Sequence, residues 1–365
     1  MGILSGVKII EMEGIGPGPF CGMQLADMGA EVILIQRPSP EGTKAPPNDA
    51  AVLNRGKKII QLNLKDPNHQ SQVMDLIRHA DGLIEGMRPG VMERLGLGPD
   101  ICLKENPKLA YGRVTGWGQS GPLAHAAGHD INYIALSSAL WYSGRPGDAP
   151  VTPPTLIGDI GGGALHLTIG MLAAIFNAHR TGKGEVIDAA MVDGSANMMN
   201  LLFSSRAGGR LSNERGKSLL DGPHWYDSYR CSDNKFITIG ALEPKFYQLL
   251  LDKLGLSADQ DFADQLDSSK WPVQKATLSR LFSHQPQAYW CDLLEGSDAC
   301  FSPVLNPDEA AQHPHNMARE VFLNRNNNLE ANAAPRFLNH PCEPPANAQM
   351  STSADVLAEW SQSDK

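Results

Sequence analysis

A histidine and an aspartate stand side by side in Gly128-His129-Asp130-Ile131-Asn132-Tyr133, where a loop gives way to residues with helical spacing. A second aspartate, Asp159, sits in Gly158-Asp159-Ile160-Gly161-Gly162-Gly163, and Glu243 stands just before Pro244. A histidine and a carboxylate that face one carbon from opposite sides make a two-base site. One group removes a proton and the other delivers one. The amides that open the helix after His129 can meet the negative charge that proton removal creates. Each acid also has a plainer use. Asp130 is expected to cap the helix that follows it, Asp159 can cap the next one, and Glu243 is a favourable charge at a helix start. Three glycines make a poor first helical turn. They are easier to explain if a ligand or another backbone passes close to Asp159. Glu243, if it reached His129, would orient the imidazole ring. Spacing alone does not show that these groups converge.

The elements that must position them alternate. Residues 7–12 read as a strand, 21–30 as a helix ending in glycine, and 31–38 as a second strand. This βαβ pattern implies a parallel sheet. Further strands are expected at 57–64, 80–87 and 109–118. Helices are expected between 66 and 79, at 159–180 and at 190–203. The composition changes near Ser204, where a Gly/Arg-rich stretch reads as a connection. Residues 226–242 read as a hairpin turning at Asp233-Asn234, and 243–255 as a helix. Helical patterns run on to about residue 310, and an Asn/Pro-rich tail ends in a short helix around 353–360. The expected fold class is α/β: a Rossmann-like parallel-sheet domain over 1–203 completed by the tail 330–365, and a smaller α/β domain over 226–310. Linkers are expected at 204–225 and 311–329.

Gly14-Ile15-Gly16-Pro17-Gly18-Pro19 follows the first strand but is not a dinucleotide fingerprint. The third glycine is missing, and two prolines remove amides that would cradle a pyrophosphate. The second strand ends in Gln36-Arg37, not in an acid for a ribose hydroxyl. Arg37 and Arg88 both follow strands, where ligands of open α/β sheets bind. They suit a phosphate-bearing adenosine, and Arg55, Lys57 and Lys58 form a further basic focus whose plain reading is a solvated turn.

The chain has 365 residues, 42% of them hydrophobic, and a formal charge of −9. That is enough for one large or two moderate cores, and it argues against nucleic acid or an anionic membrane as partner. Six scattered cysteines make no metal or disulfide spacing and read as reduced. His313 and His315 lack a third ligand, so no metal is expected. No uninterrupted apolar run of membrane length and no targeting segment stand out, so the expected setting is cytoplasmic and away from membranes.

The sequence resembles the CoA-transferases of the formyl-CoA:oxalate type (family III) over nearly its whole length. The likeness rests on GPGPFCGMQLADMGAEV, NRGKK, QLNLKDP, RPGVMERLGLGP, VTGWGQSGP, AGHDINY, GDIGGGA, RTGKGEVIDAAMVDG and GALEPKFY. The resemblance implies a CoA-thioester substrate, no cofactor, and a homodimer of interlocked chains. It implies that His129 and Asp159 are the catalytic bases and that Glu243 hydrogen-bonds the histidine. It assigns Arg37, the strand Leu62-Asn63-Leu64-Lys65, Arg88, and Gly128, Asp130, Ile131, Asn132 and Tyr133 to CoA or thioester contacts. The methionines Met198 and Met199 can serve an acyl tail or simply fill a helix core. The tail is shorter and richer in asparagine than the family pattern. Transferases of the family carry a nucleophilic aspartate at the Gly-Asp position and generally lack the histidine. A nucleophile needs one carboxylate, whereas a racemase needs two proton-transfer groups. His129 therefore favours the racemase branch, interconverting (R)- and (S)-2-methylacyl-CoA through an enolate. The alternatives are CoA transfer through Asp159 and CoA-ester binding without catalysis.

Overall fold

The computed structural model describes residues 2–38, 52–325, 328–341 and 344–363. Two units divide it. The first comprises Met1–Leu140, Thr152–Met199 and Leu323–Lys365; the second comprises Trp141–Val151 and Asn200–Phe322.

The first unit follows the alternation of its sequence. It runs through β1 (Lys8–Met12), α1 (Pro17–Asp27), β2 (Glu31–Gln36), β3 (Lys57–Gln61), α2 (Pro67–Ile77), β4 (Gly82–Glu85), α3 (Val91–Arg94), α4 (Pro99–Glu105), β5 (Ala110–Thr115) and α5 (Asp130–Leu136). A π-helix (Leu156–Leu165) then runs into α6 (His166–Thr181), followed by β6 (Glu185–Ala190) and α7 (Met191–Met198). Ile9, Ile10, Val32, Ile33, Leu34 and Ile35 are all buried. Such unbroken apolar strands suit a parallel sheet covered on both faces. Asp66 caps α2 by accepting from the Asn68 amide at 2.9 Å, and Pro67 opens that helix. The buried Val73, Leu76 and Ile77 tie it to the sheet.

In the second unit come α8 (Asn200–Phe203), the hairpin β7 (Tyr226–Arg230) and β8 (Phe236–Gly240), α9 (Pro244–Leu254), α10 (Trp271–Phe282), α11 (Gln287–Leu294), β9 (Phe301–Val304), α12 (Pro307–Gln312) and α13 (Pro314–Ala318). Its three antiparallel strands run in the order β7-β8-β9. Trp225, Ile237, Ile239, Phe262, Phe282 and Trp290 form its core. The short ribbon β10 (Phe322–Arg325) and β11 (Asn328–Ala331) follows, then β12 (Gln349–Met350) and α14 (Ser353–Ser363). β12 pairs with β3, and Val356 and Trp360 of α14 enter the first unit's core. The stretch expected as a return linker therefore contains α13 and β10.

The completed sheet has the order β12-β3-β2-β1-β4-β5-β6 and is parallel throughout. The order reverses between β1 and β4. Open α/β sheets bind ligands outside the carboxyl ends of strands at such a point.

Two expectations need correction. The helix expected at 159–180 begins as a π-helix at Leu156 and ends at Thr181. By length and composition alone, Leu156–Thr181 is also long and apolar enough to cross a membrane. Leu167, Met171, Ala174 and Ile175 lie in the core with strand residues, while Leu165, Ile169 and Phe176 stay exposed on the outer face. The basic focus is neither a phosphate site nor a solvated turn. Arg55 is buried and bonds Asp27 at 2.8 Å, with Glu330 also paired to it. Lys57 is buried against Glu11 at 2.9 Å, and Lys58 pairs with Glu31 and Glu359.

Candidate active site

The loops that leave β1, β4 and β5 surround one cleft of about 360 Å³ in the first unit. Ile15, Gly16 and Pro17 come from the first, Gly86 to Pro89 from the second, and Thr115 to Trp117 from the third. His129, Tyr133, Asp159 and Met191 complete it. The sequence thus brings His129, Asp159 and Arg88 to one cavity across distant segments.

His129 is the N-cap of α5, with extended backbone, and is exposed. Its amide donates to Asn132 Oδ1 at 3.0 Å, which fixes the turn into the helix. Asp130 is not the cap expected of it. It is buried at the first helical position, and its Oδ1 accepts from the Gly158 amide at 2.7 Å and the Asp159 amide at 2.8 Å. The acid caps the π-helix, 28 residues away, rather than its own. Tyr133 packs edge-on to Trp117 with ring centroids 4.8 Å apart, and its hydroxyl donates to the Gly128 carbonyl.

Asp159 is half-buried. Burial pushes its carboxyl above the ordinary aspartate range; the charge of Asp130 adds to that and His129 opposes it. A raised carboxyl stays protonated to higher pH and exchanges protons more readily near neutrality. Gly16, which caps α1 with φ 69°, lies against it. A Cβ there would stand 3.5 Å from Asp159 Oδ2, in a left-handed backbone that side chains resist. Tyr133 feels the same surroundings: burial and then the Asp159 charge raise its phenol, while Arg88 lowers it. Arg88 is therefore within electrostatic reach of Tyr133. Its loop is held from below, where the buried Glu85 accepts from the Met87 amide at 2.7 Å and from Arg113 at 2.8 Å.

The remaining expected residues lie elsewhere. Arg37 is exposed just past β2, and Leu62, Asn63, Leu64 and Lys65 lie beyond the end of β3, in a loop rather than a strand. The two segments adjoin, because the Leu62 amide donates to the Gln36 carbonyl at 2.9 Å. They form a second locus at the carboxyl ends of β2 and β3, and none of them lines the cleft. Glu243 belongs to the second unit, exposed at the N-cap of α9. Met198 is partly exposed and Met199 is buried. Met198 lies close over Gly161. His313 pairs with Glu295 at 2.7 Å, and among the described residues no group of three or more His, Cys, Asp and Glu could hold a metal. Cys342 lies outside the described residues; Cys21, Cys102 and Cys231 are buried thiols, Cys291 and Cys300 partly exposed ones. Gly16, Trp117 and Met191 were not among the expected site residues. Each follows the carboxyl end of a parallel strand, a position that could have pointed to them.

The model of CoA-transferase family III matches residues 4–348. The chain belongs to that family. Among its relatives it is 40% identical to the alpha-methylacyl-CoA racemase of Homo sapiens over 343 residues, 93% of this chain and 88% of that protein. It is 32% identical to the acetyl-CoA:oxalate CoA-transferase of Acetobacter aceti, across 88% of this chain and 86% of that one. The crystal structure of a CaiB/BaiF family protein from Brucella suis has the same fold, with TM-score 0.81 at 23% identity and coverage of 98% and 99%. Family III thus accounts for the parallel sheet, and it includes relatives named for inversion as well as for transfer.

Proposed function

We propose that this family III enzyme is an isomerase that interconverts (R)- and (S)-2-methylacyl-CoA thioesters by two-base proton transfer, without a cofactor. The observation that carries the reading is that His129 and Asp159 line one cleft, where burial has raised the carboxyl. The 40% identity to a racemase supports it further. Transfer through an acyl anhydride needs the carboxylate alone and leaves His129 without a task.

In this mechanism the thioester carbonyl lies against the amides that open α5, that of Asp130 foremost. Helical bonding leaves those amides free. They stabilise the enolate oxygen, and a donor of this kind contributes about 2.7–4 kcal/mol. One base takes the α-proton and the other returns one to the opposite face. The free enzyme then exists in two protonation forms, and the pair titrates as a pair. Arg88 and the run Gly128 to Tyr133 hold the thioester end, while Arg37 and Leu62 to Lys65 take the adenosine end. The two loci lie at carboxyl ends of the same sheet, with β1 between β2 and β4. The proposed setting is cytoplasmic.

A panel of (R)- and (S)-2-methylacyl esters, on CoA and on 3′-dephospho-CoA, tests the reading. Inversion with α-proton exchange is expected for both enantiomers, with weaker binding of the dephospho esters. Arg37→Ala is expected to erase that preference for the phosphate. CoA transfer to an added carboxylate without inversion would replace the racemase reading by transfer.

We also propose that the enzyme is a homodimer of interlocked chains. The exposed apolar stripe of Leu165, at the end of the π-helix, with Ile169 and Phe176 on α6 supports a partner surface. Interlocked chains do not part without unfolding, so dilution in sedimentation velocity is expected to give no folded monomer. A native-like monomer that grows on dilution rules the arrangement out.

A further inference from the structure

The two bases sit on segments 30 residues apart, and one side chain joins them. His129 and Asp130 are consecutive, so the first turn of α5 fixes both. Asp130 Oδ1 then accepts the amides of Gly158, at 2.7 Å, and of Asp159 itself, at 2.8 Å. A π-helix bonds each amide to the carbonyl five residues back, as Ile160 does to Thr155 at 3.1 Å. The amides before that bond have no partner within the helix. Asp130 supplies it for two of them. The approach depends on Gly158, where a Cβ would lie 2.6 Å from Asp130 Oδ1. The residue that opens this helix, Thr155, holds a left-handed φ of 62°. Such a start is costly unless its surroundings hold it.

We propose that the Asp130 side chain is a positioning residue for Asp159: it sets the spacing of the two bases by seating the start of the π-helix, and its negative charge acts on the Asp159 carboxyl. The assignment rests on the racemase reading for its catalytic consequence, but its geometry stands apart from it. Asp130 lies close to Asp159 and buried, where a charge is poorly screened. His129 faces Asp159 with the opposite influence, and Arg88 and Tyr133 share the cleft. Titratable groups on the other elements packed against this helix are turned elsewhere. His166 Nδ1 lies 2.8 Å from the Gly161 carbonyl, and Arg113 is engaged by Glu85 and Glu93. Asp188 accepts from the Gln119 amide, Asp27 pairs with Arg55, and Asp193 and Glu185 are exposed.

Two variants separate the hydrogen bonds from the charge. Asp130→Asn keeps an acceptor oxygen and the volume; Asp130→Ala removes acceptor and charge. The Asp159 carboxyl is followed by carbon NMR in the full chain labelled at aspartate Cγ, its resonance identified by loss in Asp159→Asn. With the neighbouring charge gone, ionised Asp159 is less disfavoured. Its titration midpoint is therefore expected to fall in Asp130→Asn. In racemisation, both limbs that Asp159 controls should move to lower pH: the acid limb where it acts as base and the alkaline limb where it acts as acid. Asp130→Ala leaves two buried amides unpaired and is expected to lower kcat about tenfold or more, and Asn should recover part of that loss. A midpoint that stays or rises in Asp130→Asn overturns the proposal, as does equal behaviour of Asn and Ala in titration and rate. If the unaltered enzyme inverts no ester, the racemase reading fails, while the NMR titration still decides the role of Asp130.

Discussion

His129→Ala is expected to abolish inversion in both directions while leaving slow α-proton exchange with retention on one enantiomer. Inversion needs two groups, one on each face of the α-carbon. Exchange with retention needs one group and access to solvent isotope. Asp159→Asn is expected to spare the opposite enantiomer, the one that His129 serves. Removal of a general base typically lowers a rate about 10²–10⁴-fold, so the loss of inversion should be of that order or larger. Rates by themselves do not decide the matter, since a misfolded variant is also slow. Each variant must first bind a CoA ester. The decisive comparison is which enantiomer retains deuterium uptake. If both folded variants keep the same preference, the two groups do not act on opposite faces. If His129→Ala transfers CoA to a carboxylate while Asp159→Asn does nothing, Asp159 is a nucleophile.

Much of this site was legible in residue types, and the rest depended on contacts that sequence does not carry. His129 and Asp159 could be picked out because a histidine before a helix start and a carboxylate beside three glycines suit proton transfer, although Asp159 also had a plain reading as a cap. Strands β1 and β2 were legible because both faces are apolar, which is what burial in a parallel sheet demands. β6 and β9 were not. Glu185–Ala190 has exposed or half-buried residues over most of its length at the sheet edge, and Phe301–Val304 is four residues long with a proline inside. Leu62 to Lys65 looked like the continuation of β3, yet Asn63 turns back to accept the Lys65 amide at 3.1 Å and ends the strand. The role of Asp130 was misjudged for a different reason. An acid at a helix start normally caps that helix, and only the folded chain reveals that the nearer donors come from Gly158 and Asp159. The same holds for Lys57, which local sequence presents as one of a run of solvated cations.

Lys57→Met is expected to cost about 3–5 kcal/mol of stability, the range for breaking a buried ion pair from one side, and to cost more at pH 8 than at pH 6. Lys57 is buried, and its Nζ donates to Glu11 Oε1 at 2.9 Å and to the Pro19 carbonyl at 3.0 Å. Glu11 is fully buried in the middle of β1. Gly22 makes room for it, since a Cβ there would meet Glu11 Oε2 at 1.7 Å. Burial pushes the Glu11 carboxyl from 4.5 up to about 7 against the attraction of Lys57. A folded value above the unfolded one means that its contribution is complete below the ordinary glutamate range and is lost as pH rises through about 7. Without the lysine the carboxyl must take a proton to stay buried. That cost grows by about 1.4 kcal/mol for each pH unit above the unfolded value, and it continues past the point where the unaltered protein levels off. Urea unfolding at pH 6 and pH 8 measures the difference. A gap that is the same at both values would mean that Lys57 contributes volume and not charge. A gap that widens would make the pair a tie between the sheet and α1, whose first residue, Pro17, lines the cleft beside Asp159.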